Sequence, residues 1–215
     1  MKKQYVVFGG GKFGRSVAVT LQQLGCEVVL VDRDPEVIQE LADEVSYAIC
    51  ADVEEPDVFE NIGMRNFDGA VIAITESLEA SIVTAMQCSE MGIPQILAKA
   101  KNKVHEKILR SVGAGKVIYP EVEMGKRVAK HIMAENFVDW IDLSPEFSLV
   151  EMDIPDSWCG RSLVELQIRE KHNLNVIGVK EGERLRVQID PKEKLKEGTV
   201  LIVIGNNRDL ERFKK

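Results

Sequence analysis

The stretch Tyr5-Val6-Val7-Phe8-Gly9-Gly10-Gly11-Lys12-Phe13-Gly14 decides the fold. Four consecutive apolar residues running into glycine read as a strand buried on both faces of a parallel sheet. Directly after it, Phe13, Val17, Leu21 and Leu24 recur at helical spacing until Gly25. Gly9, Gly11 and Gly14 thus spell G-x-G-x-x-G between a strand and a helix, with Gly10 inside the turn. A second strand, Val28 to Val31, ends in Asp32, an acid about 20 residues past the glycines as the dinucleotide fingerprint requires. Gly9 permits the tight turn, Gly11 lets phosphates approach the backbone, and Gly14 lets the helix lie close to the sheet. The exposed N–H groups and the positive end of the helix dipole then predict an anionic ligand, an adenine nucleotide.

Outward from that turn the β–α alternation continues. Asp34-Pro35 opens a second helix, with an N-cap residue followed by proline and with Val37, Ile38 and Leu41 on one face. Further strands are expected at Ser46–Cys50, Ala70–Ile74, Gln95–Lys99 and Lys116–Tyr119. The helices between them are expected at about Pro56–Ile62, Leu78–Met91 and Lys103–Val112, with one more at Met124–Asn136. This order predicts an α/β, Rossmann-type, doubly wound parallel sheet over residues 1–137. The pattern then changes. Val138–Glu146, with Asp139, Asp142, Ser144 and Pro145, reads as a junction. Short strands follow at Ser148–Asp153, Val176–Lys180, Arg184–Ile189 and Val200–Ile204, with helices at Leu163–Lys171 and Asp209–Lys214. Residues 138–215 are therefore expected to form a small α+β domain, near the lower size limit for folding alone and so dependent on dimerisation.

Several residues at the carboxyl edge of the first sheet are candidate ligand contacts. Asp32 suits a ribose diol and would repel a 2′-phosphate, even with Arg33 adjacent. The same diol occurs in ATP, ADP and AMP, so Asp32 does not by itself select a nicotinamide cofactor. Lys12 either reaches a terminal phosphate or is solvated. Asp52 either meets the adenine edge or caps a helix. Ile74, Thr75 and Glu76 follow the fourth strand, where such ligands bind.

Composition narrows the classes. The net charge of −7 and the dispersed Lys and Arg argue against a nucleic-acid partner. No apolar run approaches the ~20 residues that span a bilayer, and Met-Lys-Lys running into the first strand does not read as a secretory leader. Cys26, Cys50, Cys88 and Cys159 stand apart with no metal-binding spacing, so each is expected to be a small buried thiol in a reducing, cytoplasmic setting. Catalytic signatures are absent: four residues after Tyr47 and Tyr119 stand Ala51 and Glu123, not the lysine of a Tyr-x-x-x-Lys pair. A binding protein is the expected class, not an enzyme.

The runs Gly9–Gly14, Val31-Asp32-Arg33, Ala51-Asp52, Val71–Thr75, Lys99–Asn102 and Gly113–Gly125 resemble the RCK N-terminal (TrkA-N) domain. Gly160–Leu166, Val176–Val179, Lys196-Glu-Gly198 and Leu201–Gly205 resemble the RCK C-terminal (TrkA-C) domain. One domain of each type is similar to the KtrA/TrkA family of regulatory subunits of potassium transporters. The resemblance implies a peripheral cytoplasmic subunit, a homodimer assembling to an octameric ring, that gates a membrane potassium-translocating subunit by exchange of ATP and ADP, with NAD(H) the alternative ligand. It places nucleotide contacts on Gly11, Lys12, Phe13, Asp32, Arg33, Asp52, Val53, Thr75, Lys99, Ala100, Lys101, His105 and Glu121, with Mg2+ or Ca2+ between Glu121 and phosphate. Ktr-type chains usually carry arginine at the position of Lys12, and lysine keeps the charge but loses the planar fork. It further implies a cyclic di-AMP site in the second domain at Leu163, Val164, Arg169, His172, Asn175, Val176 and Pro191, where Leu163, Val164 and Val176 alternatively serve as dimer core. Two other classes stay open: a small NAD-dependent oxidoreductase and a regulatory subunit of another cation transporter.

Overall fold

The structure, a computed structural model, describes residues 2–55, 57–63, 66–133 and 137–213, and for His131 and Met133 the backbone alone. The chain divides into two compact units, Met1–Pro120 and Glu121–Lys215.

In the first unit the strands are β1 (Gln4–Phe8), β2 (Glu27–Asp32), β3 (Tyr47–Cys50), β4 (Gly69–Ile72), β5 (Ile96–Lys99) and β6 (Lys116–Ile118). They form one parallel sheet in the order β3-β2-β1-β4-β5-β6, so the winding reverses between β1 and β4. The connecting helices are α1 (Lys12–Gln23), α2 (Pro35–Leu41), α3 (Val58–Asn61), α4 (Leu78–Glu90) and α5 (Lys103–Ser111). Because successive side chains of a strand point to opposite faces, the apolar strands feed two cores. Val7, Val28 and Leu30 pack with Ala18 of α1 and Leu41 of α2. Val6, Phe8, Val31 and Ile72 pack with Cys88 of α4 and Leu109 of α5 on the other face. The doubly wound expectation stands. The third helix is one short turn, and Pro56, where it was expected to start, lies outside the described residues.

The second unit contains α6 (Pro120–Met133, its first residue shared with the first unit), β7 (Phe137–Asp142), β8 (Phe147–Asp153), α7 (Leu163–Leu166), α8 (Ile168–His172), β9 (Asn175–Glu181), β10 (Arg184–Arg186), β11 (Thr199–Asn206) and α9 (Asn207–Leu210). Its sheet is antiparallel throughout, in the order β10-β9-β11-β8-β7, over a core of Trp140, Val150, Met152, Leu174, Leu201, Val203 and Leu210.

Four expectations need correction. The segment Val138–Glu146 is not a junction: Phe137–Asp142 is a strand paired with β8. A register shift between Phe137 and Asp139 breaks the alternation, leaving the buried Phe137 and Trp140 three residues apart, and hides the strand from a period-two reading. The helix expected at Leu163–Lys171 is two short helices, broken at Gln167 with a left-handed backbone, φ 51°. Leu166 and Ile168 are both buried, and two residues apart they cannot share one face of a continuous helix. α6 begins at Pro120 rather than Met124, because proline suits the first helical position. Its expected end, Ala134–Asn136, lies outside the described residues, as does Lys214 at the end of the last expected helix. Finally, only Cys88 is a buried thiol, its pKa pushed by desolvation to about 12, while Cys50 and Cys159 are exposed.

Candidate functional site

The glycine turn is held by the strand beside it. Gly9 adopts φ +94° and donates its N–H to the Val31 carbonyl at 2.8 Å. The Gly10 N–H donates to Asp32 Oδ2 at 2.6 Å, and the Asp34 N–H donates to Oδ1 at 2.9 Å. Asp32 therefore fastens the turn with two of its roughly four acceptor positions and retains capacity for others. A Cβ on Gly14 would lie 1.8 Å from the Gly9 carbonyl oxygen, and one on Gly10 would lie 2.4 Å from Val37 Cγ1. Around a Cβ on Gly11 nothing stands within 4 Å. Two of these glycines are dictated by packing; Gly11 faces open space.

That space lies at a bare helix end. Gly11 is the N-cap of α1, with no side chain capping the helix and no acid in the first turn. Every other described α-helix carries Asp or Glu in its first turn. The orphan N–H groups and the positive end of the α1 dipole thus stay unshielded, which favours an anion there.

A cavity of about 290 Å³ opens from the turn at the carboxyl ends of β1, β2 and β4, at the point where the winding reverses. Such a switch point is where doubly wound sheets bind ligands. Of the predicted contacts, Gly9, Gly11, Asp32, Arg33, Asp52, Val53, Ile74, Thr75 and Glu76 line it together. Arg33 pairs with Glu76 at 3.3 Å, joining the ends of β2 and β4. Asp52 lines the cavity and accepts the Glu54 N–H at 3.0 Å within a turn; it caps no helix, since α3 starts at Val58 with Asp57 as its N-cap. Glu54 and Ser77, which share a 3.0 Å hydrogen bond, also line it and were missed. Their signal was position alone: each follows closely on an assigned residue at the end of a strand.

Lys12, Phe13, Lys99, Ala100, Lys101 and His105 do not line that cavity. Lys12 and Phe13 open α1, and Lys99 Nζ stands 5.8 Å from the centre of the Phe13 ring, which brings the end of β5 to the same helix terminus. The Lys101 N–H donates to His105 Nδ1 at 3.3 Å, so the neutral ring carries its proton on Nε2. His105 is 1% exposed, and desolvation, with the Lys101 charge adding to it, holds its pKa below the usual value. Its Nε2 has no hydrogen-bond partner among the described residues, an uncompensated buried donor. Glu121 lies in the first turn of α6, and among the described residues no group of three or more His, Cys, Asp or Glu converges to hold a metal.

Of the second predicted set, Val164 donates its N–H to the Pro191 carbonyl at 3.0 Å, which brings those two segments together. Leu163 and Val176 pack partly on the core. The His172 ring stands 5.4 Å from Trp158 and 5.1 Å from Phe213, in an aromatic cluster. Arg169 and Asn175 are exposed.

With that geometry in place, comparison with known proteins is decisive. The TrkA-N domain family matches residues 5–120 and the TrkA-C domain family matches residues 149–215. The chain belongs to the KtrA/TrkA family. KtrA/TrkA relatives include the Ktr system potassium uptake protein C of Bacillus subtilis, 38% identical over all of this chain and 97% of that protein. The Ktr system potassium uptake protein A of the same organism is 32% identical over 98% of this chain and 95% of its own. Among solved structures, the GsuK channel bound to NAD superposes with a TM-score of 0.66 at 19% identity, covering all of this chain and 39% of the channel chain. That likeness supports the fold. No helix among the described residues is long and apolar enough to cross a membrane.

Proposed function

We propose that this chain is the nucleotide-sensing regulatory subunit of a Ktr- or Trk-type potassium transporter, acting as a peripheral subunit on a membrane potassium-translocating protein. One observation carries the reading: the bare α1 terminus opens on the Asp32-lined cavity, in a chain whose full-length relatives are potassium uptake proteins, and an adenine nucleotide is assigned there. The ribose diol is assigned to the remaining acceptor positions of Asp32, and the phosphates to Gly11, Lys12 and the α1 N-terminus. Lys99, beside Phe13 at the α1 terminus, supplies further positive charge, and Lys101 two residues on is assigned the same role. Residues 1–137 are the nucleotide-binding part, and 138–215 the dimerisation and second-ligand part. Cyclic di-AMP is proposed at Val164, Arg169, Asn175 and Pro191, with His172 contributing through its aromatic cluster.

The mechanism is binding rather than bond making. ATP and ADP prefer different conformations of a ring built from dimers, and each shifts the population by its difference in affinity for the two. An octamer is the proposed assembly. Mg2+ or Ca2+ would be held by Glu121 together with phosphate oxygens, neutralising a carboxylate beside a polyphosphate.

Calorimetric titration of the full chain with ATP, ADP, NADH and cyclic di-AMP tests the reading. Binding of ATP and ADP, each lost on Asp32→Ala, is the expected result. Tight NADH binding without either adenine nucleotide would overturn it, as would turnover of NADH with a small carbonyl compound.

A further inference from the structure

The segment after β5 is stitched to the end of β6. Lys99 pairs in register with Ile118, and the Ala100 N–H donates to the Ile118 carbonyl at 2.9 Å. The same segment is stitched to α5, through the bond from the Lys101 N–H to His105 Nδ1 and through Asn102, whose side chain caps that helix. One residue beyond His105, Glu106 accepts hydrogen bonds from the Tyr119 hydroxyl at 2.9 Å and from Arg110 Nε at 3.0 Å. The Glu106 side chain is 28% exposed, so this pair is partly sheltered from water. The two donors, Tyr119 foremost, hold the Glu106 carboxyl below its usual range, as a charge-assisted bond requires.

Tyr119 is also the last residue before Pro120, the first residue of α6. A residue preceding proline is restricted to extended backbone, and proline fixes its own φ. Pinning the Tyr119 ring therefore restrains the start of α6 with little backbone slack. Neither Glu106 nor Tyr119 lines the cavity. We propose that Glu106 and Tyr119 are positioning residues that carry the occupancy of the Lys99–Lys101 segment, through the first turn of α5, to the start of α6. The inference rests on the proposed nucleotide reading, since it needs a ligand at that segment.

The test compares the full-length wild type with Tyr119→Phe, Glu106→Ala and Glu106→Gln, by ATP and ADP titration and by hydrogen–deuterium exchange over Gly9–Gly14 and over α6. Affinities of all four proteins are expected to agree within about threefold, and nucleotide protection of the glycine turn to persist, because no contact to the ligand is removed. In the wild type, α6 is expected to exchange differently with ATP and with ADP. That difference falls to roughly a fifth or less in Tyr119→Phe and Glu106→Ala and survives in Glu106→Gln, whose amide oxygen still accepts from Tyr119. A full wild-type difference in Tyr119→Phe, or a wild type protected at the turn but indifferent at α6, would overturn the proposal. Failure of the wild type to bind either nucleotide would instead remove the reading beneath it.

Discussion

Gly11 and Gly14 belong to one motif, yet alanine at each tests a different property. Gly14→Ala drives a Cβ to 1.8 Å from a backbone oxygen that cannot move without opening the turn. We expect a loss of at least about 3 kcal/mol of stability, read as a fall in the urea midpoint. Gly11 has φ −61°, which any residue adopts, and free space around it. Gly11→Ala should cost under about 1 kcal/mol of stability but weaken ATP and ADP at least tenfold, because the methyl would occupy the place proposed for the phosphate. Asp32 stands between these cases. Its bonds to the Gly10 and Asp34 N–H groups mean that Asp32→Ala loosens the glycine turn as well as losing the proposed ribose contact. Charged hydrogen bonds contribute about 1.5–3 kcal/mol each, so a loss of tenfold to a hundredfold in adenosine affinity is expected in calorimetry, with a lower melting temperature. The position of Asp32 at the cavity was legible from spacing. Its part in holding Gly10 was not, because a bond from a turn's backbone N–H to a carboxylate on the next strand leaves no mark on residue type.

At the scale of elements, α6 and β7 show what patterning misses. Arg127 binds Asp139 at 2.6 Å, and Lys130 binds Asp142 while its ammonium lies 5.5 Å from the Trp140 ring centre. Read as a linker, the acids of this stretch look like solvated turn residues; read in the sheet, they are the anchors of α6. Asp142 also accepts bonds from Trp140 Nε1 and from the Ser148 hydroxyl. Lys130 foremost, then these donors, hold its carboxyl below the usual carboxylate range. A carboxylate with a depressed folded pKa contributes stability above its unfolded value and loses it as pH falls through the folded one. Urea denaturation between pH 7 and pH 3 should therefore show a steeper acid loss in the wild type than in Asp142→Asn. Equal slopes would mean that the pair contributes nothing.

For the whole molecule, two units with separate cores predict that a nucleotide acts on one of them first. Saturating ATP or ADP should stabilise the first unit, by about 2.7 kcal/mol at a hundred times Kd, through linkage. The shift should be visible in scanning calorimetry as a higher transition for the unit rich in parallel sheet. Cyclic di-AMP, if it binds at Val164 and Pro191, should shift the second unit instead. A nucleotide that raised both equally would argue against the assignment of ligands to separate units.

Read alone, the amino-acid sequence determined the order of strands and helices in the first unit. Each is a continuous apolar run or a helical stripe bounded by glycine, proline or a cap, and those are local signals. It also determined the bare helix end to which the phosphates are assigned, since G-x-G-x-x-G with an acid beyond the next strand is a local chemical arrangement. Tertiary structure decided the rest. The pairing that makes Phe137–Asp142 a strand despite its bulge, the left-handed Gln167, the His105 Nε2 buried without a partner among the described residues and the Glu106–Tyr119 bond depend on packing and pairing that residue type alone does not display. Which side chains reach the cavity was likewise a matter of sheet order: only the reversal between β1 and β4 brings Asp32, Asp52 and Glu76 around the Gly11 helix end.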